Sequence, residues 1–304
     1  MSEHTRPRPN ASARGDGAGR FRLAWRKGTN AVMMALCGVA VVVGIVPLLW
    51  ILWYVFRQGI TALTPGFLTR MPTPVGVPGG GILNSLVGSA ITVGLGVLIA
   101  APIGVMAAMH AATRPNTPLG LALRFGTDVV SGVPSIIMGI FVYTLIVLPQ
   151  GHFSAFSGGV ALAFIMLPII IRTTEEMLKL VPGSLREASL ALGATEWRTS
   201  MNVLLPAALS GVVTGVMLAV ARAAGEAAPM LFTAFGNPFL SFKLSEPIAT
   251  LPHTIFVYAI SPYEDWRNKA WATALVLIVL VLGLNILARA LTWWRVRKVG
   301  SVTR

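Results

Sequence analysis

Six apolar runs punctuate the chain, each close to the ~20 residues that a bilayer core demands of a spanning helix. They are Ala31–Tyr54, Leu83–Met109, Val129–Leu148, Phe153–Ile171, Ala207–Phe235 and Trp271–Ala288. The pattern predicts an all-α integral membrane protein with six transmembrane helices. Gly and Pro interrupt several runs, which helices packed on other helices tolerate. Pro168 leaves the end of the fourth run the least defined. Residues 1–28 are rich in Arg, Gly, Pro and Ser, lack apolar periodicity and read as a disordered basic tail. Residues 29–295 form the six-helix membrane domain, and 296–304 a short carboxyl tail. The first run is longer than the ~7–15-residue core of a cleavable signal and ends in Trp53, Tyr54 and Phe56, so it is expected to be retained. The Pro- and Gly-rich stretch Arg57–Ile82 reads as a loop with turns, and Gly236–Ala270 as a longer loop carrying both charge signs.

Composition agrees with this pattern. Of 304 residues, 55% are hydrophobic and 12% charged, with a mean hydropathy of +0.73. A soluble domain of this size could not bury so much apolar surface. A net charge of +13 would suggest nucleic acid in a soluble protein; in a membrane protein it sets orientation, because inner loops collect Lys and Arg. With both termini inside, only Arg57, Arg70, Lys243, Arg267 and Lys269 fall outside, and Arg222 alone lies within a run. This predicts a multi-pass membrane protein with both termini inside, touching lipid and no nucleic acid. The single cysteine, Cys37, excludes an internal disulfide framework. His4, His110, His152 and His253 have no metal-ligand neighbours at useful spacing. No Gly-x-x-x-x-Gly-Lys-Ser/Thr loop occurs; Gly79-Gly80-Gly81 is followed by Ile82. Any ATP hydrolysis is therefore expected on another polypeptide, and the chain alone is not expected to be an enzyme.

Two groups of residues carry candidate chemistry. The first is Pro182–Pro206. Ser184 followed by Glu187 reads as a capping box. Leu185, Ala188, Ser189 and Leu192 share a helical face. Gly193 is a natural helix stop, Thr195 can cap a second short helix, and Pro206 can begin the next span. The second group is charged. Arg222 and Glu226 are four residues apart, so on one helix they would share a face and pair. Charges at such depth are costly and face a bundle interior or a watery path. Arg172, at the end of the fourth run beside Thr173 and Thr174, is either an interface anchor or part of such a path. Asp128 is expected to stabilise the amino end of the third helix, and Ser131 and Ser135 to mark close packing.

Glu187-Ala188-Ser189, three residues, Gly193, nine residues, then Val203-Leu204-Leu205-Pro206 resembles the EAA loop of ABC-importer permeases, with Ser189 and Val203 as small departures. Asp128–Ser135, Arg172–Leu178 and Arg222–Pro229 resemble signature stretches of phosphate permeases of the PstA type. The resemblance runs from about Val32 to Arg295. It implies a type I ABC-importer permease fold in which the loop at 182–206 is a coupling helix. Glu187, Ala188, Ser189, Leu192 and Gly193 would then dock on the ATPase, and Arg172, Arg222 and Glu226 would lie along the phosphate path. It also implies a PstC-type permease as heterodimer partner, a PstB-type ATPase dimer holding ATP and Mg, and an extracytoplasmic phosphate-binding protein. No cofactor is expected on this chain. Two other readings stay open: import of another oxyanion such as sulfate or molybdate, and a membrane scaffold or signalling partner.

Overall fold

The computed structural model describes residues 16–77 and 79–300; of the side chains at 16–21, 24, 288, 289 and 291–300 nothing is said. Apart from one isolated bridge, Phe235 with Ile248, the described residues form helices and connections only. The first helix, α1, runs from Asp16 to Ala62. It therefore begins inside the stretch expected to be an irregular tail, and it extends into the expected outer loop. Arg, Leu, Ala, Trp and Lys at 22–27 have no bias against helix, and a helix already formed at the apolar run propagates through them at low cost. Residues 1–15 of that tail lie outside the described residues. The chain divides into two compact units after Tyr54. The first holds most of α1. Its apolar side chains, such as Leu36, Val43 and Trp50, are exposed all round, as in a helix whose solvent is lipid or another chain.

The second unit, from Val55 onward, is a helical bundle around α6 (Ala155–Lys179). Helix α2 (Leu83–Thr113) packs along it with Gly96 and Gly104 against Leu162 and Ile170, positions where small residues let backbones approach. Helix α3 (Pro118–Gly132) lies on α6 as well, and ends before Pro134. Helix α4 (Ser135–Val142) then leaves at 107° and continues through a π turn (Tyr143–Val147) into α5 (Leu148–Gln150). The predicted third span, Val129–Leu148, is thus not one helix. Proline disfavours helical geometry in the residue before it, and Val133 is accordingly extended.

After α6 come α7 (Gly183–Ala191) and α8 (Glu196–Thr199), then a π turn (Ser200–Leu204) leading into α9 (Leu205–Ala223). Pro206 does not begin a span; the helix is continuous from Glu196 to Ala223. The two π turns share one cause. Each lies just before a proline, Pro149 or Pro206, which has no N–H for the i−4 carbonyl. The residue before each proline, Leu148 or Leu205, bonds five residues back, to the Tyr143 or Ser200 carbonyl. Pro168, by contrast, sits inside an unbroken α6.

The predicted fifth span, Ala207–Phe235, is also broken. Helix α9 stops at Ala223, residues 224–227 turn, and α10 (Ala228–Thr233) resumes, with Pro229 against Gly139 of α4. Pro229 has no N–H to bond the Gly225 carbonyl, which removes the bond that would carry a helix across the turn. The rest is α11 (Leu251–Ala259) and α12 (Glu264–Gly300), which begins seven residues earlier than the apolar run because Glu264 and Asp265 suit a helix amino end. The core is small and apolar: Ala100, Ala161, Leu162, Met166, Ile170, Ala219 and Ala223 are essentially sealed.

Candidate functional site

The hairpin after α6 is a surface element with an internal frame. No residue of α7 is buried, and Leu192 is 89% exposed. Gly193 adopts φ +83°, the left-handed conformation that a helix stop requires. Its N–H bonds the Leu190 carbonyl, and the Ala194 N–H bonds that of Ser189. The capping box does not form. Pro182 is the N-cap, so Ser184 falls inside the first turn and its side chain caps nothing. Thr195 does cap α8, accepting from the Arg198 N–H at 3.3 Å. Two links tie α7 to the helix that follows: Ser189 Oγ to Thr199 Oγ1 at 2.9 Å, and Arg186 to Glu196 at 2.7 Å. Ser189 therefore turns inward to hold the hairpin, whereas Glu187, Ala188, Leu192 and Gly193 stay exposed. Glu187 has no ion-pair partner among the described residues.

The charged groups lie along α6 and α9. These helices are antiparallel neighbours; a Cβ at Gly211 or Gly215 would overlap Met177 or Thr173. The same register brings Arg222 to the level of Met166, near the middle of α6, a helix about 37 Å long at 1.5 Å per residue. Arg222 is 63% exposed. Glu226 approaches it at 3.8 Å, but from the turn after α9, so their pairing does not come from a shared helix face. Arg172 sits about 9 Å from that level toward the Lys179 end of α6. Its Nε donates to Glu176 at 3.1 Å and its Nη1 reaches Asp128 at 3.4 Å. All three side chains are more than half exposed. Asp128 belongs to the last turns of α3, not its start, because the helix begins at Pro118. Thr173 is held by the Ile169 carbonyl, and Thr174 is sealed with an unpartnered hydroxyl, so neither offers a free donor to a passing ligand.

A second charged cluster had only half a signal in the sequence. Glu175 is 3% exposed and receives Arg124 of α3 and Lys179, both at 2.6 Å. Arg124 also donates to the Ala111 carbonyl of α2 at 3.0 Å. This joins α2, α3 and α6. The i,i+4 spacing of Glu175 and Lys179 is visible in sequence; Arg124 lies too far along the chain to be placed by spacing. At the opposite end of the bundle from the hairpin, a cavity of about 650 Å³ is lined in part by Thr73, Asn84, Phe239, His253, Tyr258 and Trp266. Burial pushes the His253 pKa down and favours its neutral form. On the exposed loop nearby, the hydrogen bond from Lys243 holds the Glu246 carboxyl below its usual range.

Comparison with known proteins agrees with this architecture. The family model described as "Binding-protein-dependent transport system inner membrane component" matches residues 100–298. A Haemophilus influenzae protein named phosphate transport system permease protein PstA is 46% identical over 88% of this chain and 95% of its own length. Its Yersinia pestis namesake is 43% identical over 90% and 92%, and the Mycobacterium tuberculosis protein PstA 1 is 33% identical over 90% of this chain. Among solved structures, an inward-facing form of the MetNI methionine ABC transporter superposes with a TM-score of 0.55 at 22% identity, covering 70% of this chain and 93% of that one. That likeness carries the fold alone, a bundle of helices. With a family match across most of the bundle and relatives similar over nearly their whole length, the chain belongs to the binding-protein-dependent transport inner membrane components, as a permease of the PstA type.

Proposed function

We propose that this chain is one of two permease subunits of an ATP-driven importer of inorganic phosphate. It works with a PstC-type partner, a PstB-type ATPase dimer that holds ATP and Mg, and an extracytoplasmic phosphate-binding protein. It holds no cofactor of its own. It lies in the cytoplasmic membrane of a prokaryote with both termini inside, so the hairpin at 182–206 faces the ATPase and the cavity near His253 faces outward. The basic residues of the inner segments support that orientation.

The carrying observation is Arg222: a guanidinium at half-depth, well exposed and only loosely paired. A charge there is expensive unless it serves a path, and its planar fork suits an oxyanion. The relatives' names supply the cargo. In the proposed cycle, ATP binding closes the ATPase dimer, which moves Glu187, Ala188, Leu192 and Gly193. The Ser189–Thr199 and Arg186–Glu196 links pass that motion to the helix leading into α9, whose far end carries Arg222.

The test is labelled-phosphate uptake at low external phosphate in cells lacking the chain, complemented with wild type or Arg222→Gln and matched for membrane content. Wild type is expected to restore uptake, insensitive to excess sulfate or molybdate, and the variant to lose most of it. Undiminished uptake in the deletion strain, with no second importer present, overturns the phosphate reading. Restoration that sulfate or molybdate abolishes moves the cargo to that anion.

A further inference from the structure

Arg172 is engaged on two sides and open on a third. Nε holds Glu176 and Nη1 holds Asp128, while Nη2 has no partner among the described residues. Of the carboxylate oxygens, Asp128 Oδ2 and Glu176 Oε2 are likewise uncommitted there. Asp128 gains nothing from its own helix: it lies in the last turns of α3, where the carbonyl end of the dipole disfavours an anion. Its position is imposed from below. Arg124, one turn earlier on α3, is bound to buried Glu175, three residues after Arg172 on α6. That buried bridge delivers Asp128 to Arg172.

The triad Asp128–Arg172–Glu176 thus offers free N–H donors beside free carboxylate acceptors and carries one net negative charge. An ionised carboxylate can only accept. An oxyanion that still bears a proton can accept from Nη2 and donate its hydroxyl to Asp128 or Glu176. A fully deprotonated tetrahedral anion has no donor, leaves those carboxylates facing its own oxygens, and is repelled. At neutral pH phosphate and arsenate carry a proton and sulfate does not. We propose that Asp128 and Glu176 are specificity-determining carboxylates at an Arg172 station, which admits protonated oxyanions and rejects unprotonated ones. The inference rests on the phosphate reading and adds a second sieve inside the permease, independent of any binding protein.

The experiment uses the complete transporter, purified without the binding protein, and measures equilibrium binding of labelled phosphate and labelled sulfate separately, with unlabelled arsenate as competitor. Wild type is expected to bind phosphate, release it to arsenate and bind sulfate at least about tenfold more weakly, since sites built to bond a hydroxyl reject analogues lacking it. In Asp128→Asn/Glu176→Gln, whose amides can also donate, sulfate binding is expected to rise toward that of phosphate. Arg172→Gln is expected to weaken both. Equal sulfate and phosphate binding in wild type, unchanged discrimination in the double variant, or no oxyanion binding at all overturns the proposal. Uptake of labelled phosphate by cells carrying the wild-type chain separates the two failures: intact uptake with a negative binding result removes only the carboxylate sieve, whereas absent uptake removes the phosphate reading too.

Discussion

Thr173 of α6 lies so close to Gly215 of α9 that a Cβ at 215 would overlap its hydroxyl, which is itself tied back to the Ile169 carbonyl at 2.7 Å. This contact sets the spacing of the two helices that carry Arg172 and Arg222. Gly215→Val is expected to force them apart, at an overpacking cost of about 1–3 kcal/mol. The thermal midpoint of the purified transporter should fall and uptake should drop several-fold, whereas Gly94→Val, in open space on α2, should change neither.

Glu175 is the buried hinge of the α2–α3–α6 junction, and its environment decides the sign of its removal. Glu175→Ala leaves Arg124 and Lys179 without their common partner; because those cations are 29% and 52% exposed, the cost is expected to fall short of the about 3–5 kcal/mol of a fully buried pair. A fall in thermal midpoint is expected, together with faster amide exchange in α3. Removing exposed Glu246, whose partner Lys243 is in solvent, is expected to leave the midpoint unchanged.

Gly193 and Leu192 separate shape from contact in the hairpin. Gly193→Ala must hold φ +83° with a side chain present, costing roughly 1–2 kcal/mol locally. Leu192→Asp places an anion at the C-cap of α7, a cost of about 0.3–1 kcal/mol, and otherwise changes only an exposed apolar surface. Both variants are expected to reach the membrane. Leu192→Asp is expected to lower co-purification of the ATPase subunit several-fold, and Gly193→Ala to lower transport-coupled ATP hydrolysis. Full ATPase recovery and normal turnover in both would remove the hairpin from the coupling role.

His253 gives the cavity at the opposite end of the bundle from the hairpin a pH dependence. Burial depresses its pKa below the ordinary 6.5, so the folded segment binds fewer protons than the unfolded one. Its contribution is fully present above pH 6.5 and is lost as the pH falls through the folded value. Amide protection at residues 250–258, corrected for the slower intrinsic exchange at low pH, is expected to fall between pH 7.5 and pH 5, and His253→Phe to flatten that response.

Much of the candidate site was legible in sequence, for identifiable reasons. Gly193 as a stop and Thr195 as a cap are local consequences of backbone conformation. The EAA-type spacing was legible as a short helix, a turn and a second helix in fixed order. The capping box failed because the N-cap is Pro182, two residues before Ser184, and the Arg222–Glu226 face failed because the helix ends between them. Pro134 and Pro229 announced the breaks, but apolar composition alone cannot distinguish a straight span from a bent one.

Length, helical period and the cost of polar groups in lipid already set the all-helical membrane class, the number of apolar runs and the hairpin. Packing between distant segments fixes how far the broken helices bend, which face of α7 turns inward through Ser189, and that Asp128 meets Arg172 across 3.4 Å. Those outcomes depend on groups far apart in the chain, Arg124 and Glu175 above all. Their pairing is fixed by the packing of α3 on α6, and no local pattern encodes it.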